Sequence, residues 1–260
     1  MSSSPVAAPA KVAVITGAAQ GIGRRTSELL AQAGYSLALI DLQSCSHVAP
    51  AADREELLGD ITDETFLAQC IRTVRNRWGR IDVLVNNAGI SSIAPAETVE
   101  AAIFRHVLEV NLVAPFLLAR DVGALMLQQR QGSIVNIASI AGLTGIGDRS
   151  AYNASKHGLV GLTRTLAAEW GARGVRVNAV CPGWVKTEMD HVDQASAAYT
   201  DEDIIDRVPM GRFATPDDIA RAVLFLADPL HSGFINGHTL TVDGGWTADG
   251  SWQSLRLSHR

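Results

Sequence analysis

Short apolar runs alternate along this chain with longer segments of helical period, and that alternation restricts its fold more than any other feature. Val12–Thr16, Ser36–Asp41, Asp82–Asn86, Ser133–Ala138, Val175–Val180 and Thr239–Asp243 read as strands. Helices are predicted at Ile22–Gln32, Glu64–Trp78, Ala101–Gln128, Ala151–Trp170 and Pro216–Ala227. The strands are nearly all apolar instead of alternating, as expected where helices cover both faces of a parallel sheet. Two architectures meet that pattern, a doubly wound open sheet and an eight-stranded α/β barrel. There is no internal repeat, low-complexity tract or long linker, so residues 11–246 read as one domain. Residues 1–10 read as a disordered lead-in and 247–260 as a tail. The stretch Trp184–Arg212 lacks a strand pattern and reads as a lid or substrate loop.

Composition excludes several classes of function. With 22 Lys+Arg against 27 Asp+Glu the net charge is −5, which lacks the basic footprint of general nucleic-acid binding. Uninterrupted apolar runs such as Leu37–Ile40 and Val83–Val85 are too short to span a bilayer. The start, MSSSPVAAPA, has neither the basic residues nor the apolar stretch of a secretory signal. Cys45, Cys70 and Cys181 form neither a disulfide framework nor a zinc motif, and no His/Asp/Glu spacing suggests a catalytic metal. A soluble, cytoplasmic protein is expected. Arg72, Arg75, Arg77 and Arg80 cluster at a helix end, where cations are favourable and a solvated face is the plain meaning. Of the 22 basic residues only Lys11, Lys156 and Lys186 are lysines, so a lysine in a chemical setting stands out.

The first strand runs straight into Thr16-Gly17-Ala18-Ala19-Gln20-Gly21-Ile22-Gly23, and a helix opens after it. Glycines at 17, 21 and 23 permit a tight turn, close approach of backbone N–H groups to a diphosphate, and close helix–strand contact. Asp41 lies 18 residues beyond Gly23, at the end of the next strand. A carboxylate there can accept hydrogen bonds from both adenosine ribose hydroxyls and would repel a 2′-phosphate. No arginine occupies position 42 or the residues between Gly17 and Gly21, so NAD is expected over NADP. An α/β barrel does not explain these glycines paired with Asp41, which leaves the doubly wound Rossmann-type sheet of about seven strands.

Further motifs follow in order. Asn86-Asn87-Ala88-Gly89 ends the third strand, and Asn111 interrupts a predicted helix. Ser139 closes the fourth strand, Tyr152-Asn153-Ala154-Ser155-Lys156 begins 13 residues later, and Pro182-Gly183 follows the fifth. From about Lys11 to Trp246 the chain resembles the short-chain dehydrogenase/reductase family, in its compact branch of about 250 residues.

The chemistry accounts for these residue types independently. Hydride transfer between an alcohol and a nicotinamide needs a proton acceptor and donor at the same oxygen, and Tyr152 is the candidate. Lys156, four residues on and on the same helix face, favours the phenolate. Ser139 can polarise the substrate oxygen. The resemblance implies that Lys156 also bonds the nicotinamide ribose and that Asn111 holds a relay water. It places Gly17, Gln20, Gly21, Ile22 and Gly23 at the diphosphate, Asp60 and Ile61 near the adenine, and Asn87, Ala88 and Gly89 beside the ribose. It puts Pro182, Gly183, Val185 and Thr187 at the nicotinamide carboxamide. Substrate contacts are expected from Ser139, Ile140 and Tyr152, the rest of Ile140–Asp148, Ser91–Ile93, and the loop around Trp184, Met189 and His191.

The reading is an NAD-dependent oxidoreductase acting on a small secondary alcohol or ketone such as a sugar, polyol, cyclic alcohol or diol. A 3-oxoacyl thioester reductase is the alternative within the family; that type usually uses NADPH, against which Asp41 argues. A dinucleotide-binding regulator without catalysis is the alternative outside it. The family commonly forms tetramers, so a homotetramer is expected, with Thr247–Arg260 packed against a neighbouring subunit.

Overall fold

In the computed structural model, which describes residues 10–50, 52–187 and 199–252, seven parallel strands form a single sheet. They are β1 (Val12–Thr16), β2 (Ser36–Asp41), β3 (Arg54–Leu58), β4 (Val83–Asn86), β5 (Gly132–Ile137), β6 (Val175–Pro182) and β7 (Thr239–Val242). Their spatial order is β3-β2-β1-β4-β5-β6-β7. This is the doubly wound sheet expected from the alternation.

Successive residues of β1 point to opposite faces, and both faces are buried. Val12 and Val14 join a core with Leu67 and Val74 of helix α2 (Glu64–Trp78), Leu118 and Val122 of α4 (Ala114–Gln129), and Leu166 and Trp170 of α5 (Ser150–Trp170). Ala13 and Ile15 join the opposite core with Leu30 of α1 (Gly21–Gln32) and Ile219, Val223 and Leu226 of the helix Pro216–Ala227. Burial on two sides removes any reason for a polar residue in the strand. Each such aliphatic side chain contributes roughly 1.5–3 kcal/mol of transfer free energy.

β3 escaped the sequence pattern because it is an edge strand reading Arg-Glu-Glu-Leu-Leu, with charges where the inner strands are apolar. Those charges fasten it. Arg54 donates to the carbonyls of Cys45, Ser46 and Val48, and Arg77 of α2 bridges Asp53 and Glu55. Part of the arginine cluster therefore ties α2 to the sheet edge.

The helix predicted from Ala101 is continuous to Gln129, but its middle widens into a π turn at Glu109–Val113, which separates α3 (Ala101–Leu108) from α4. By length and composition it could cross a bilayer. Its buried face, including Leu118, Val122 and Met126, packs on the sheet instead. Within the predicted lid the structure adds α6 (Asp201–Arg207), capped by Thr200 and Asp203. The remaining helices are α7 (Pro216–Ala227) and the single turn α8 (Pro229–Ser232).

β1 pairs with β2 on one side and β4 on the other, so the chain reverses its winding there. Connections leave these two strands toward opposite faces, which opens a crevice at their carboxyl ends. Gly23 sets its width: a Cβ there would lie 1.9 Å from the carbonyl oxygen of Gly17. Gly23→Ala should lose about 3 kcal/mol in urea unfolding; an unchanged midpoint would show that the turn tolerates the methyl group.

Candidate active site

One cleft of about 420 Å³ runs across the carboxyl ends of β1, β2, β4, β5 and β6. Its walls at one end come from the turn after β1. Gly17 takes φ +63°, and a Cβ on it would stand 2.8 Å from Asn87 Nδ2, so only glycine fits. α1 then opens with no side-chain cap at Gln20 and no acidic residue in its first turn, among the described residues. By contrast α2 is capped by Asp63 and α7 by a Thr215–Asp218 box. The helix that faces the cleft therefore keeps its first N–H groups for something else, and a diphosphate suits them.

The turn is locked to β4. Thr16 Oγ1 accepts from the N–H groups of Asn87 and Ala88, both at 3.0 Å, while Asn87 Nδ2 donates to the carbonyls of Thr16 and Gly17 at 3.0 Å. Asp41 lies beyond, at the end of β2. Its carboxylate accepts from Ala19 N and Gln43 N, each at 2.9 Å, which fixes it against the cleft beside Leu42 and Gln43. Gly59, Asp60 and Ile61 complete this end, and no lysine or arginine among the described residues lines it.

Ser139, Tyr152 and Lys156, the residues expected to carry the chemistry, all line the other end. Ser139 follows β5 directly, and its Oγ accepts from Ala141 N at 3.1 Å. Tyr152 and Lys156 occupy successive turns of α5, with Lys156 Nζ 5.6 Å from the centre of the Tyr152 ring. Lys156 is only 4% exposed, and its ammonium donates to Ile137 O at 2.8 Å. Burial pushes its pKa down to about 8. An ammonium titrating there is still mostly protonated at pH 7.

Asn111 sits in the π turn, fully buried behind the cleft wall. Its amide is committed: Oδ1 accepts from Ile90 N at 2.9 Å, and Nδ2 donates to Ile90 O and Ser155 Oγ. Asn111 thus braces the Gly89–Ile90 segment against α5. A Cβ on Gly89 would stand 3.2 Å from Asn111 Oδ1 and 3.5 Å from Lys156 Nζ.

Of the expected cofactor residues, Gly17, Gln20, Gly21, Ile22, Asp41, Asp60, Ile61, Asn87, Ala88, Gly89, Pro182, Gly183, Val185 and Thr187 all border the cleft. Gly23 does not; it lies one turn inside α1, where its role is close contact with Gly17. Of the expected substrate residues, Ser139, Ile140, Ile146, Tyr152 and Trp184 border it, Ser91–Ile93 and the rest of Ile140–Asp148 do not, and Met189 and His191 lie outside the described residues. His106, Val110 and Arg149 were not anticipated. Arg149 stands just before α5, and its place at the cleft depends on contacts with Ser91 and Trp184 that no sequence spacing shows. His106 comes from α3, whose packing beside the cleft is a tertiary feature absent from the sequence pattern. The three cysteines are buried thiols with raised pKa values, about 12 for Cys45 and Cys70 and about 11 for Cys181, driven mainly by desolvation.

A family model described as enoyl-(acyl carrier protein) reductase matches residues 17–247. The chain is 41% identical over 244 residues to a D-threitol dehydrogenase of Mycolicibacterium smegmatis, covering 91% of this chain and 93% of that one. It is 37% identical over 242 residues to a 3-oxoacyl-(acyl-carrier-protein) reductase of Thermotoga maritima, covering 90% and 97%. The chain belongs to the short-chain dehydrogenase/reductase family. Among solved structures, levodione reductase superposes with TM-score 0.87 at 35% identity, covering 92% of this chain and 98% of that one. A putative NAD(P)-dependent gluconate 5-dehydrogenase from Beutenbergia cavernae, with NADP bound at low occupancy, gives TM-score 0.84 at 40% identity, covering 93% and 98%. As a short-chain dehydrogenase/reductase the protein is an oxidoreductase, and its relatives act on small alcohols and carbonyl compounds.

Burying a cation in this dehydrogenase/reductase costs stability, with a definite pH dependence. The folded-state pKa of Lys156, about 8, lies below its unfolded value, so the unfolded state holds more protons between about pH 8 and 10.5. Below that window the full penalty of a buried charge applies; across it the penalty fades. Lys156→Met should therefore raise unfolding stability at pH 7 by on the order of 1–3 kcal/mol. Its advantage over wild type should shrink toward pH 10 in urea titrations. A variant less stable than wild type at pH 7 would contradict this.

Proposed function

We propose that the protein is an NAD-dependent oxidoreductase that interconverts a small secondary alcohol and the corresponding ketone. The observation carrying this reading is a buried, cationic Lys156 under the ring of Tyr152, with Ser139 in the same wall. NAD bound in the cleft would supply the hydride acceptor. The uncapped start of α1, with Gly17, Gln20, Gly21 and Ile22, would hold its diphosphate, and Asp41 the adenosine ribose. Asp60 and Ile61 would flank the adenine, Asn87, Ala88, Gly89 and Lys156 the nicotinamide ribose, and Pro182, Gly183, Val185 and Thr187 the carboxamide.

Ser139 Oγ then donates to the substrate oxygen, and the Tyr152 phenolate accepts the hydroxyl proton. Poising tyrosine near neutrality needs a shift of about three units, or about 4 kcal/mol, which an adjacent cation in a dry site supplies. Asn111, its amide engaged with Ile90 and Ser155 inside the π turn, would hold a relay water beside Lys156, the role the family resemblance implies for it. The fixed carboxylate of Asp41, with no cation beside it among the described residues, favours a free 2′-hydroxyl and hence NAD. It also weighs against an NADPH-dependent 3-oxoacyl reductase, the activity named for the Thermotoga relative.

A panel of sugars, polyols, cyclic alcohols and hydroxyacyl thioesters, assayed with NAD and NADP by nicotinamide absorbance, tests the reading. Turnover with NAD is expected for an alcohol of this kind, and Tyr152→Phe should lower kcat by at least ~10²-fold while NADH still binds. Undiminished turnover in that variant would overturn the catalytic assignment, and a clear preference for NADP the cofactor assignment.

The assembly reading is a cytoplasmic homotetramer. Leu230 and Phe234 stand almost wholly exposed near β7, which is itself a sheet edge. Light scattering should give four times the 27.6 kDa chain mass; a monomer would reject it.

A further inference from the structure

Ala19, in the middle of the glycine turn, is gripped at both of its backbone groups. Its N–H donates to Asp41 Oδ2 at 2.9 Å, and its carbonyl oxygen lies 3.0 Å from His47 Nε2. A carbonyl oxygen only accepts, so the imidazole carries a proton on Nε2 and donates it there. Ala19 is 4% exposed, and a carbonyl so placed costs free energy when it lacks a donor. The next residue, Gln20, is the N-cap of α1 and borders the cleft. His47 is itself exposed and stands outside the cleft wall, yet it holds the turn that makes that wall.

The loop carrying His47 joins β2 to β3, and β3 shapes it. Arg54 and Glu56 alternate with Glu55 and so share one side of that edge strand. Arg54 donates to the carbonyls of Cys45 and Ser46, each at 2.7 Å, and to that of Val48. Glu56 accepts from Cys45 N at 2.7 Å. These bonds fasten the chain on both sides of His47 and leave its imidazole to Ala19. Just beyond, Ala49 is held at φ +43°, a left-handed conformation that costs a residue with a Cβ energy. The loop therefore accepts strain and commits two charged side chains to keep one imidazole against the glycine turn.

Asp41 depends on Ala19 for its aim. Its other oxygen, Oδ1, accepts from Gln43 N at 2.9 Å, a bond to a residue only two positions along the same chain segment. The bond from Ala19 is the one that ties the carboxylate to the turn after β1. Both oxygens keep lone pairs for ribose hydroxyls. If residue 19 were free to rotate, the carboxylate would lose its fixed position, and its repulsion of a 2′-phosphate would weaken with it.

We infer that His47 is a positioning residue for the cofactor: by holding Ala19 it keeps Asp41 aimed at the adenosine ribose and so sets the preference for a free 2′-hydroxyl. The assignment rests on the reading of the cleft as a dinucleotide site that favours NAD. It concerns recognition and adds no step to the chemistry.

Calorimetric titration with ADP-ribose and with its 2′-phosphorylated form tests this without turnover. Wild type should bind ADP-ribose more tightly. In His47→Ala the Kd of ADP-ribose should rise roughly 3–10-fold while that of the phosphorylated form changes little, so the ratio between them shrinks. His47→Gln, whose amide N–H can reach the same carbonyl, should recover most of the ratio. In an Asp41→Ala background, His47→Ala should no longer alter it. A loop that contributes stability alone would weaken both ligands together. That result, a full loss in His47→Gln, or an undiminished effect in the Asp41→Ala background overturns the assignment. Unchanged binding in His47→Ala overturns it too, and leaves the NAD site in place. A wild type that binds ADP-ribose without preferring it overturns the assignment and the NAD preference but not the dinucleotide site. A wild type that binds neither ligand overturns all three.

Discussion

Four hydrogen bonds between the ends of β1 and β4 hold the functional end of the molecule together. They join Thr16 and Gly17 to Asn87 and Ala88 at the place where the sheet reverses its winding. They continue the β1–β4 ladder past its last pair, Ile15 and Val85, to where the following connections leave on opposite faces. With them, the glycine turn, the start of α1 and the Asn87–Gly89 segment become one rigid wall. Asn111 extends that wall to α5 through Ile90 and Ser155, so the position of Tyr152 and Lys156 is tied back to the first strand. Substrate recognition is left to the loops mounted on this frame.

The same frame makes a dry place for a cation. Lys156 Nζ has Ile137 O as its hydrogen-bond acceptor and the Tyr152 ring beside it, and burial weakens its hold on its proton. Stability is lost there, and the return is electrostatic: a positive charge out of water acts on a neighbouring phenol far more strongly than one in solvent. The proposed acid–base role of Tyr152 and the lowered pKa of Lys156 both follow from this one placement.

Much of this was legible in the sequence because it depends on local signals. All-apolar strands, the spacing of Gly17, Gly21 and Gly23, and the four-residue step from Tyr152 to Lys156 each encode geometry within a single element or turn. The doubly wound sheet followed from them, and of the residues expected to bind the cofactor all but Gly23 line the cleft, whereas the expected substrate contacts at Ser91–Ile93 do not. What was not legible depends on tertiary placement. β3 carries Arg54, Glu55 and Glu56 because it lies at an edge, and only the sheet order reveals that its charges have partners. The π turn at Glu109–Val113 leaves no mark on helical periodicity, yet Asn111 lies within it. The setting of Arg149 against Trp184 and Ser91 joins segments far apart in sequence, and no spacing rule connects them.

The central claim is that the buried Lys156 charge makes Tyr152 an unusually acidic phenol, and ionisation of the tyrosines tests it most directly. The chain has three: Tyr35, Tyr152 and Tyr199. Burial raises the pKa of Tyr35, so it cannot supply a low-pH step. In a spectrophotometric titration of the NAD-bound protein, one tyrosine should ionise well below the ordinary value of ~10, and that step should vanish in Tyr152→Phe. A titration with every tyrosine at or above the ordinary value, or a low step that persists in Tyr152→Phe, would contradict the account.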